Sequence, residues 1–172
     1  VLGGSLGAGS INNCLSDNIK VLRDCDCQWL WQTGKYYYTN VKSVVASSFC
    51  RNVVVNGFVD RMDLAYAAAD VIVSRAGAGT ISELCLVGKP AILVPSSNVA
   101  EDHQTKNAAA LADREAAIMI PDSLVGKRLI VEAVKLVADR EKRRTLSENI
   151  KKLAERDADV RIAGEVLKLI RK

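Results

Sequence analysis

The chain has 172 residues and a mass of 18.6 kDa, which is the length of one domain or of two very small ones. Hydrophobic residues make up 49% and charged residues 26%, which excludes disordered and fibrous proteins, and no apolar run reaches the roughly 20 residues of a membrane-spanning helix. A net charge of only +4, 5% aromatic residues and no recognised binding motif argue against nucleic acid as a partner.

Short β-branched runs alternate along the chain with longer segments of helical periodicity. Val1-Leu2 is predicted as the end of a strand, and apolar residues at helical spacing predict one helix over residues 8–24. The further predicted strands cover residues 28–32, 53–55, 71–73, 91–95 and 117–120. The further predicted helices cover residues 62–69, 80–87, 102–113, 123–139, 141–155 and 158–171.

Strands separated by helices predict right-handed βαβ crossovers, and hence an α/β fold with a Rossmann-like parallel sheet and helices on both faces. Ligands of such sheets bind beyond the carboxyl ends of the strands, so the loops that follow the strands are the candidate site. A strand of two residues is too short for a central position. Val1-Leu2 therefore predicts a chain excised from a longer protein, or one that lacks its leading residues.

The first candidate loop, Gly3 to Gly9, lies between a strand end and a helix start. Its glycines, Gly4 among them, allow close approach of a ligand to the backbone, and free amides at a helix N-terminus attract anions. Ser5 adds a hydroxyl group. The spacing matches neither the dinucleotide fingerprint nor the P-loop, so a phosphate site and a simple tight turn are equally compatible with it.

The second candidate loop, residues 74–84, also follows a buried strand and opens a helix through Gly77 and Gly79. Thr80 and Glu83 are three residues apart and share a helix face. This spacing favours a capping box, with Thr80 as N-cap and Glu83 at the third helical position. The alternative is that the Glu83 carboxylate accepts hydrogen bonds from two vicinal ribose hydroxyls.

Two more loops carry groups suited to a polar ligand. After strand 91–95, a long polar loop leads into a helix with His103 and Gln104 in its first turn, which suits a ligand rich in hydroxyls. His103 is the only histidine and has no nearby nucleophile or orienting acid in sequence, so hydrogen bonding to a sugar or phosphate is favoured over base catalysis.

After strand 53–55, the backbone of Val59 could bond the edge of a planar base, with Phe58 and Met62 as apolar walls. A hydrophobic staple in front of the Met62 helix is an equally good interpretation of this turn.

The charge distribution and the cysteine content indicate which surfaces the chain could bind and in which cellular compartment it lies. Residues 127–172 hold 14 Lys/Arg and 8 Asp/Glu (+6), whereas the first 126 hold 10 and 12 (−2). This basic third favours an anionic membrane or phosphate surface, although any single residue is better explained as part of a solvated helix face. Five cysteines without zinc-type pairing predict reduced thiols in a cytoplasmic protein, and Cys25-x-Cys27 alone is a weak metal motif.

Four motifs in this order resemble the MurG family of bacterial UDP-N-acetylglucosamine transferases over essentially the whole chain. They are residues 3–8 with Asn12, residues 57–62, residues 74–83, and residues 102–108. The resemblance implies a GT-B architecture of two Rossmann-like domains. In that architecture, residues 1–172 correspond to the C-terminal domain that binds the donor nucleotide-sugar, and the N-terminal acceptor domain lies outside this sequence.

The resemblance also implies roles for single residues. At the nucleoside, the Val59 backbone would hold uracil between Phe58 and Met62, and Glu83 would accept the ribose hydroxyls, which displaces the capping box as the favoured interpretation. The residues implied at the diphosphate are Ser5, Gly4 with the neighbouring amides, and Thr80. Those implied at the N-acetylglucosamine and the nearby phosphate are the Ala78 amide, His103 and Gln104.

The implied reaction is an inverting transfer of N-acetylglucosamine from UDP-N-acetylglucosamine to undecaprenyl-pyrophosphoryl-MurNAc-pentapeptide, in peptidoglycan synthesis. It needs no metal or cofactor, and its catalytic base would lie outside these residues, so the chain alone is expected to be inactive. The implied location is peripheral, on the inner face of the cell membrane. A separate donor-binding subunit of a split transferase and a non-catalytic nucleotide-sugar-binding module are the alternatives.

Overall fold

The computed structural model of the protein describes residues 1–4, 6–96 and 102–170. Its strands are β1 (Trp29–Gln32), β2 (Val53–Asn56), β3 (Ile72–Ser74), β4 (Ala91–Leu93) and β5 (Ile118–Met119). Its helices are α1 (Gly9–Asp17), α2 (Ile19–Asp24), α3 (Lys35–Ser47), α4 (Met62–Ala68), α5 (Ala78–Val87), α6 (His103–Ala112), α7 (Val125–Ala138), α8 (Arg140–Lys151) and α9 (Ala158–Ile170). A 3-10 turn, Asp122–Leu124, precedes α7.

All strand pairs are parallel: β1 with β2, β3 with β4, and β4 with β5. Leu2 forms parallel bridges to Gln32 of β1 and to Ser74 of β3, which joins the strands in the order β2-β1-Leu2-β3-β4-β5. The predicted parallel α/β fold is confirmed. The expectation that Val1-Leu2 is too short for a central position is wrong, because the backbone of these two residues hydrogen-bonds to both neighbours.

Helices pack on both faces of the sheet. Successive strand residues point to opposite faces, so Val73 and Ile92 lie in one buried cluster whereas Ile72 and Leu93 lie in the other. The first cluster is filled by α1, α3 and α7, and it contains the fully buried Trp31 of β1. The second is filled by α4, α5 and α6, and α8 contributes to both.

The predicted helix over residues 8–24 is two helices. Asn18 leaves the helical conformation between α1 and α2, and its Nδ2 donates to the Cys14 carbonyl at 2.9 Å. Helix α3 was not predicted at all, because its aromatic and β-branched residues are typical of strands. Helix α8 begins at Arg140 because the Asp139 side chain caps it, accepting from the Lys142 amide at 2.8 Å.

Helix α9 differs from the others in that none of its described residues is buried. Its large apolar side chains are exposed, namely Val160, Ile162, Val166, Leu167, Leu169 and Ile170. Across the described helices, none is long and apolar enough to cross a membrane.

The glycine-rich loop after Leu2 is in close contact with the loop after β1. Gly7 (φ +86°) and Gly34 (φ +78°) both adopt left-handed backbone conformations. A Cβ on Gly34 would lie 2.4 Å from the Gly7 nitrogen, and a Cβ on Gly7 would lie 2.4 Å from the Thr33 carbonyl oxygen. Side chains at these two positions would therefore force the loops apart.

Gly34→Ala is expected to lower the free energy of unfolding by about 1–3 kcal/mol, because alanine must adopt a strained φ and also displace the Gly7 backbone. Urea unfolding followed by circular dichroism measures this. Gly126→Ala is the matched control, since a Cβ at that α7 position meets nothing within 4 Å. A Gly34→Ala protein as stable as the control would contradict the contact between the two loops.

Candidate functional site

The loops that follow the strands share one edge of the sheet, because all strands are parallel. The predicted site residues that the structure describes all lie at this edge. Gly4 follows Leu2, and Phe58 and Val59 follow β2. The others lie at or near helix N-termini: Met62 begins α4, Ala78, Thr80 and Glu83 lie in the first turns of α5, and His103 and Gln104 begin α6. Ser5 lies outside the described residues.

Helices α1 and α5 both present their N-termini at this edge. Their N-cap residues, Ala8 and Gly77, make no side-chain capping bond, and neither helix has an acidic residue in its first turn. The first backbone N–H groups of a helix have no partner within it, and the helix dipole favours negative charge there. Two helix ends with these properties, beside the left-handed Gly4 (φ +71°), can accept an anionic ligand.

The predicted capping box of α5 is wrong. The helix begins at Ala78, with Gly77 as its N-cap, so Thr80 is already the third helical residue and Glu83 lies in the second turn. Glu83 is exposed, and its Oε2 accepts a hydrogen bond from the Tyr66 hydroxyl at 2.9 Å. The carboxylate is therefore directed by α4 and not by the start of its own helix.

The turn at Val59 is held by a hydrogen bond to Gln32, a buried residue at the end of β1. The Val59 amide donates to Oε1 of Gln32 at 2.9 Å. Phe58 is about half exposed, at 51%, and can form an apolar wall. The hydrophobic staple considered for this turn is wrong: α4 has Arg61 as N-cap, so the position before the cap is the charged Asp60.

Gln104 connects the loops after β3 and β4. Its Oε1 accepts from the Ser96 amide at 2.9 Å and from the Ala76 amide at 3.3 Å, while Asn107 Nδ2 donates to the Ala76 carbonyl at 3.0 Å. The donor half of the Gln104 side chain is the group that an anion or sugar oxygen could contact. His103 is exposed at the start of α6.

Comparison with known proteins decides the family. Residues 1–162 match the glycosyltransferase family 28 C-terminal domain. The chain belongs to this family.

Two curated relatives and one solved structure match this chain over nearly its whole length. Proteins from Parabacteroides distasonis and Bacteroides thetaiotaomicron are 49% and 52% identical to it over 172 and 171 residues, covering 100% and 98% of the chain. Both are named UDP-N-acetylglucosamine–N-acetylmuramyl-(pentapeptide) pyrophosphoryl-undecaprenol N-acetylglucosamine transferase. The crystal structure of Acinetobacter baumannii MurG superposes with a TM-score of 0.83 at 27% identity, covering 97% of the chain.

The predicted resemblance to the MurG family is thus confirmed. The chain spans about half the length of these proteins: 47% and 46% of the two relatives, and 48% of the solved chain. Within residues 1–4, 6–96 and 102–170, no three His, Cys, Asp or Glu side chains are grouped so that they could hold a metal ion.

Arg75, which lies in the motif of residues 74–83, connects three loops of the family 28 domain. Its Nη1 donates to Asp122 Oδ1 at 2.5 Å and to the Val94 and Pro95 carbonyls at 3.2 and 3.3 Å. Its Nη2 donates to the Ser10 hydroxyl at 3.0 Å, and that hydroxyl donates to Asp122 at 2.5 Å. Arg75 therefore holds the start of α1 in place from inside the structure.

Partial burial of the Asp122 carboxylate acts to raise its pKa. The hydrogen bonds from Ser10 and Arg75, together with the positive charge of Arg75, outweigh burial, so the pKa of Asp122 lies below its ordinary value. A lowered pKa in the folded state means that the ionised carboxylate stabilises the fold. This contribution is complete above the unfolded pKa of about 3.9 and is lost as the pH falls through the folded value.

Asp122→Asn is expected to lower the free energy of unfolding at pH 7 by about 1–3 kcal/mol, because a partly buried charge-assisted hydrogen bond is weakened. The difference from the unmodified protein should shrink as the pH falls below about 4 towards the lowered pKa of folded Asp122, at which the carboxylate takes up its proton. Urea unfolding between pH 3 and pH 7 measures it. Asp24→Asn, at an exposed pair with Arg23, is the matched control and should change stability little. A difference independent of pH would contradict an ionised Asp122.

Proposed function

We propose that this family 28 domain binds UDP-N-acetylglucosamine as the sugar donor of an inverting glycosyltransferase. The observation that carries this proposal is the common edge shared by the uncapped N-termini of α1 and α5 and the exposed carboxylate of Glu83. Amide groups at the helix ends suit a diphosphate, and a carboxylate suits vicinal hydroxyls, so the pair matches a nucleoside diphosphate. The names of the relatives support N-acetylglucosamine as the sugar.

The proposed donor lies along this edge from β2 to β4. Uracil is held at the Val59 turn, with Phe58 and Met62 on either side, and the ribose is held by Glu83. The diphosphate lies at Ser5, Gly4 and Thr80. The sugar and the nearer phosphate meet the Ala78 amide, His103 and Gln104. The hydrogen bonds that Gln32 and Gln104 make to loop amides support this arrangement, because they fix the loops before a ligand arrives.

In the proposed reaction, a hydroxyl oxygen of the acceptor attacks the anomeric carbon from the side opposite to UDP. The new C–O bond forms as the bond to the diphosphate oxygen breaks, and the hydroxyl proton passes to a base outside these residues. Negative charge develops on the departing diphosphate. The contribution of this domain is to stabilise that charge with fixed amides and helix dipoles, which need no reorganisation during the reaction.

Glu83→Ala is expected to weaken UDP binding about 10- to 150-fold, because it removes hydrogen bonds to a charged group worth roughly 1.5–3 kcal/mol. Isothermal titration calorimetry measures the dissociation constant. Glu148→Ala on α8 is the matched control, as an exposed glutamate on a different helix, and should bind UDP normally. Equal affinity in the Glu83→Ala and control proteins would remove Glu83 from the site, and no UDP binding by the unmodified chain would refute the donor proposal.

We further propose a lipid-linked MurNAc-pentapeptide acceptor and a peripheral position on the cytoplasmic face of the membrane. The pyrophosphoryl-undecaprenol in the names of the relatives supports both, since such a lipid resides in a membrane. The basic residues from Lys127 onward support contact with anionic lipid.

A chimera tests the proposed transfer. With this chain in place of the aligned 46% of the B. thetaiotaomicron relative, labelled N-acetylglucosamine should pass to the lipid-linked acceptor in vesicles. The same chimera carrying Glu83→Ala should need a higher donor concentration. A folded chimera that binds UDP-N-acetylglucosamine yet transfers nothing would contradict the proposed reaction.

A further inference from the structure

Helix α4 contributes one phenol to the edge of the proposed donor site. Tyr66 is 8% exposed, and its ring belongs to the buried cluster that also contains Leu84 and Ile72. The hydroxyl group at the end of this ring donates a hydrogen bond to Oε2 of Glu83 at 2.9 Å. A ring fixed in the core thus ends in a hydrogen bond to an exposed carboxylate on another helix.

We propose that Tyr66 is a positioning residue for ribose recognition, which by holding Oε2 of Glu83 directs Oε1 to the vicinal hydroxyls and makes the site prefer ribonucleotides over 2′-deoxyribonucleotides. This inference rests on the proposed donor site. Tyr66 itself need not touch the nucleotide.

The flexibility of glutamate explains why such an anchor matters. An exposed glutamate samples many rotamers and loses that freedom when it binds a ligand. A hydrogen bond from a fixed phenol restricts the carboxylate beforehand, so less freedom is lost on binding. Tyrosine suits this purpose because its side chain has few rotatable bonds and its ring is already packed.

The charge of Glu83 also remains available to a ligand. Among the ion pairs of the described residues, none includes Glu83. Tyr66 therefore directs the carboxylate and leaves its negative charge in place. A lysine or arginine at this position would neutralise that charge. A carboxylate has two oxygens with about four acceptor sites, so one hydrogen bond from Tyr66 leaves room for two ribose hydroxyls.

The phenol remains a donor over the working pH range. Burial, then the hydrogen bond to Glu83 and the negative charge of Glu83, raise the pKa of Tyr66 above its ordinary value of about 10. The hydroxyl therefore keeps its proton, and the direction of the hydrogen bond does not change between mildly acidic and mildly alkaline conditions.

The test compares UDP with 2′-deoxyuridine diphosphate by calorimetry on this chain. The unmodified chain should bind UDP more tightly. Tyr66→Phe keeps the ring and removes only the hydroxyl, and it should weaken UDP binding about 3- to 10-fold. It should weaken binding of the deoxy compound by a smaller factor, because that compound has only the 3′-hydroxyl to offer to Glu83. Tyr36→Phe is the matched control, since Tyr36 is 85% exposed, and both dissociation constants should stay as in the unmodified chain.

A double variant separates positioning from direct contact. If Tyr66 acts only through Glu83, Tyr66→Phe should have no further effect on UDP binding in a Glu83→Ala background. Partial unfolding of a variant lowers the apparent affinity for both nucleotides by the same factor, so the ratio of the two dissociation constants is unaffected by it.

Three outcomes would overturn the inference. Tyr66→Phe could weaken the binding of both nucleotides by the same factor, which indicates a general structural role, or it could leave the binding of both unchanged. It could also weaken UDP further in the Glu83→Ala background. Failure of the donor site is distinguishable from all three, because then the unmodified chain binds neither nucleotide, or Glu83→Ala has no effect on either.

Discussion

The backbone pairing of Leu2 is the constraint on which the rest of the site depends. The Leu2 amide donates to Val73 of β3, and Val1 and Gly3 on either side of it hydrogen-bond to Gln32 of β1, so that this segment joins the two parts of the sheet. The sheet then continues outward to β2 on one side and to β5 on the other. The strand order therefore reverses beside Leu2. Loops diverge at such a point and leave a crevice at the carboxyl edge, which is where ligands of parallel sheets bind. The glycine-rich loop begins directly after Leu2 at this edge.

The glycine-rich loop and the start of α1 are held by two kinds of interaction, a steric contact and an ionic network. On one side, Gly7 and Gly34 approach so closely that only glycines fit. On the other, the Ser10 hydroxyl at the start of α1 lies between Arg75 and Asp122, in a charge-assisted network one-fifth exposed to solvent. Steric contact sets the position of the loop and the ionic network sets the start of the helix. Amides held in this way can stabilise a developing anion without moving.

The sequence predicted the parts of this arrangement that depend on local pattern, and missed those that depend on contacts between distant segments. The alternation of strands and helices and the loops with the motif residues follow from periodicity and glycine placement, whereas α3 was missed because its tyrosines and valines suit strands. The Thr80–Glu83 spacing fits a capping box, but the N-cap of α5 is Gly77, three residues before Thr80. Gln32 had only a weak signal, a polar residue ending a buried strand, and the contact of Tyr66 with Glu83 had none, since 17 residues separate them.

Some polar residues that the sequence analysis overlooked have the same role as one that it selected: their neutral side chains hold other groups of the site in place by hydrogen bonds. Gln32 and Gln104 each use a carbonyl oxygen to hold loop amides, and Tyr66 uses its hydroxyl to hold a carboxylate. Each is neutral, so it can lie at the boundary between core and edge without the desolvation cost of a buried charge. The proposed recognition at this edge therefore depends as much on these supporting amide and phenol side chains as on the groups proposed to face the ligand.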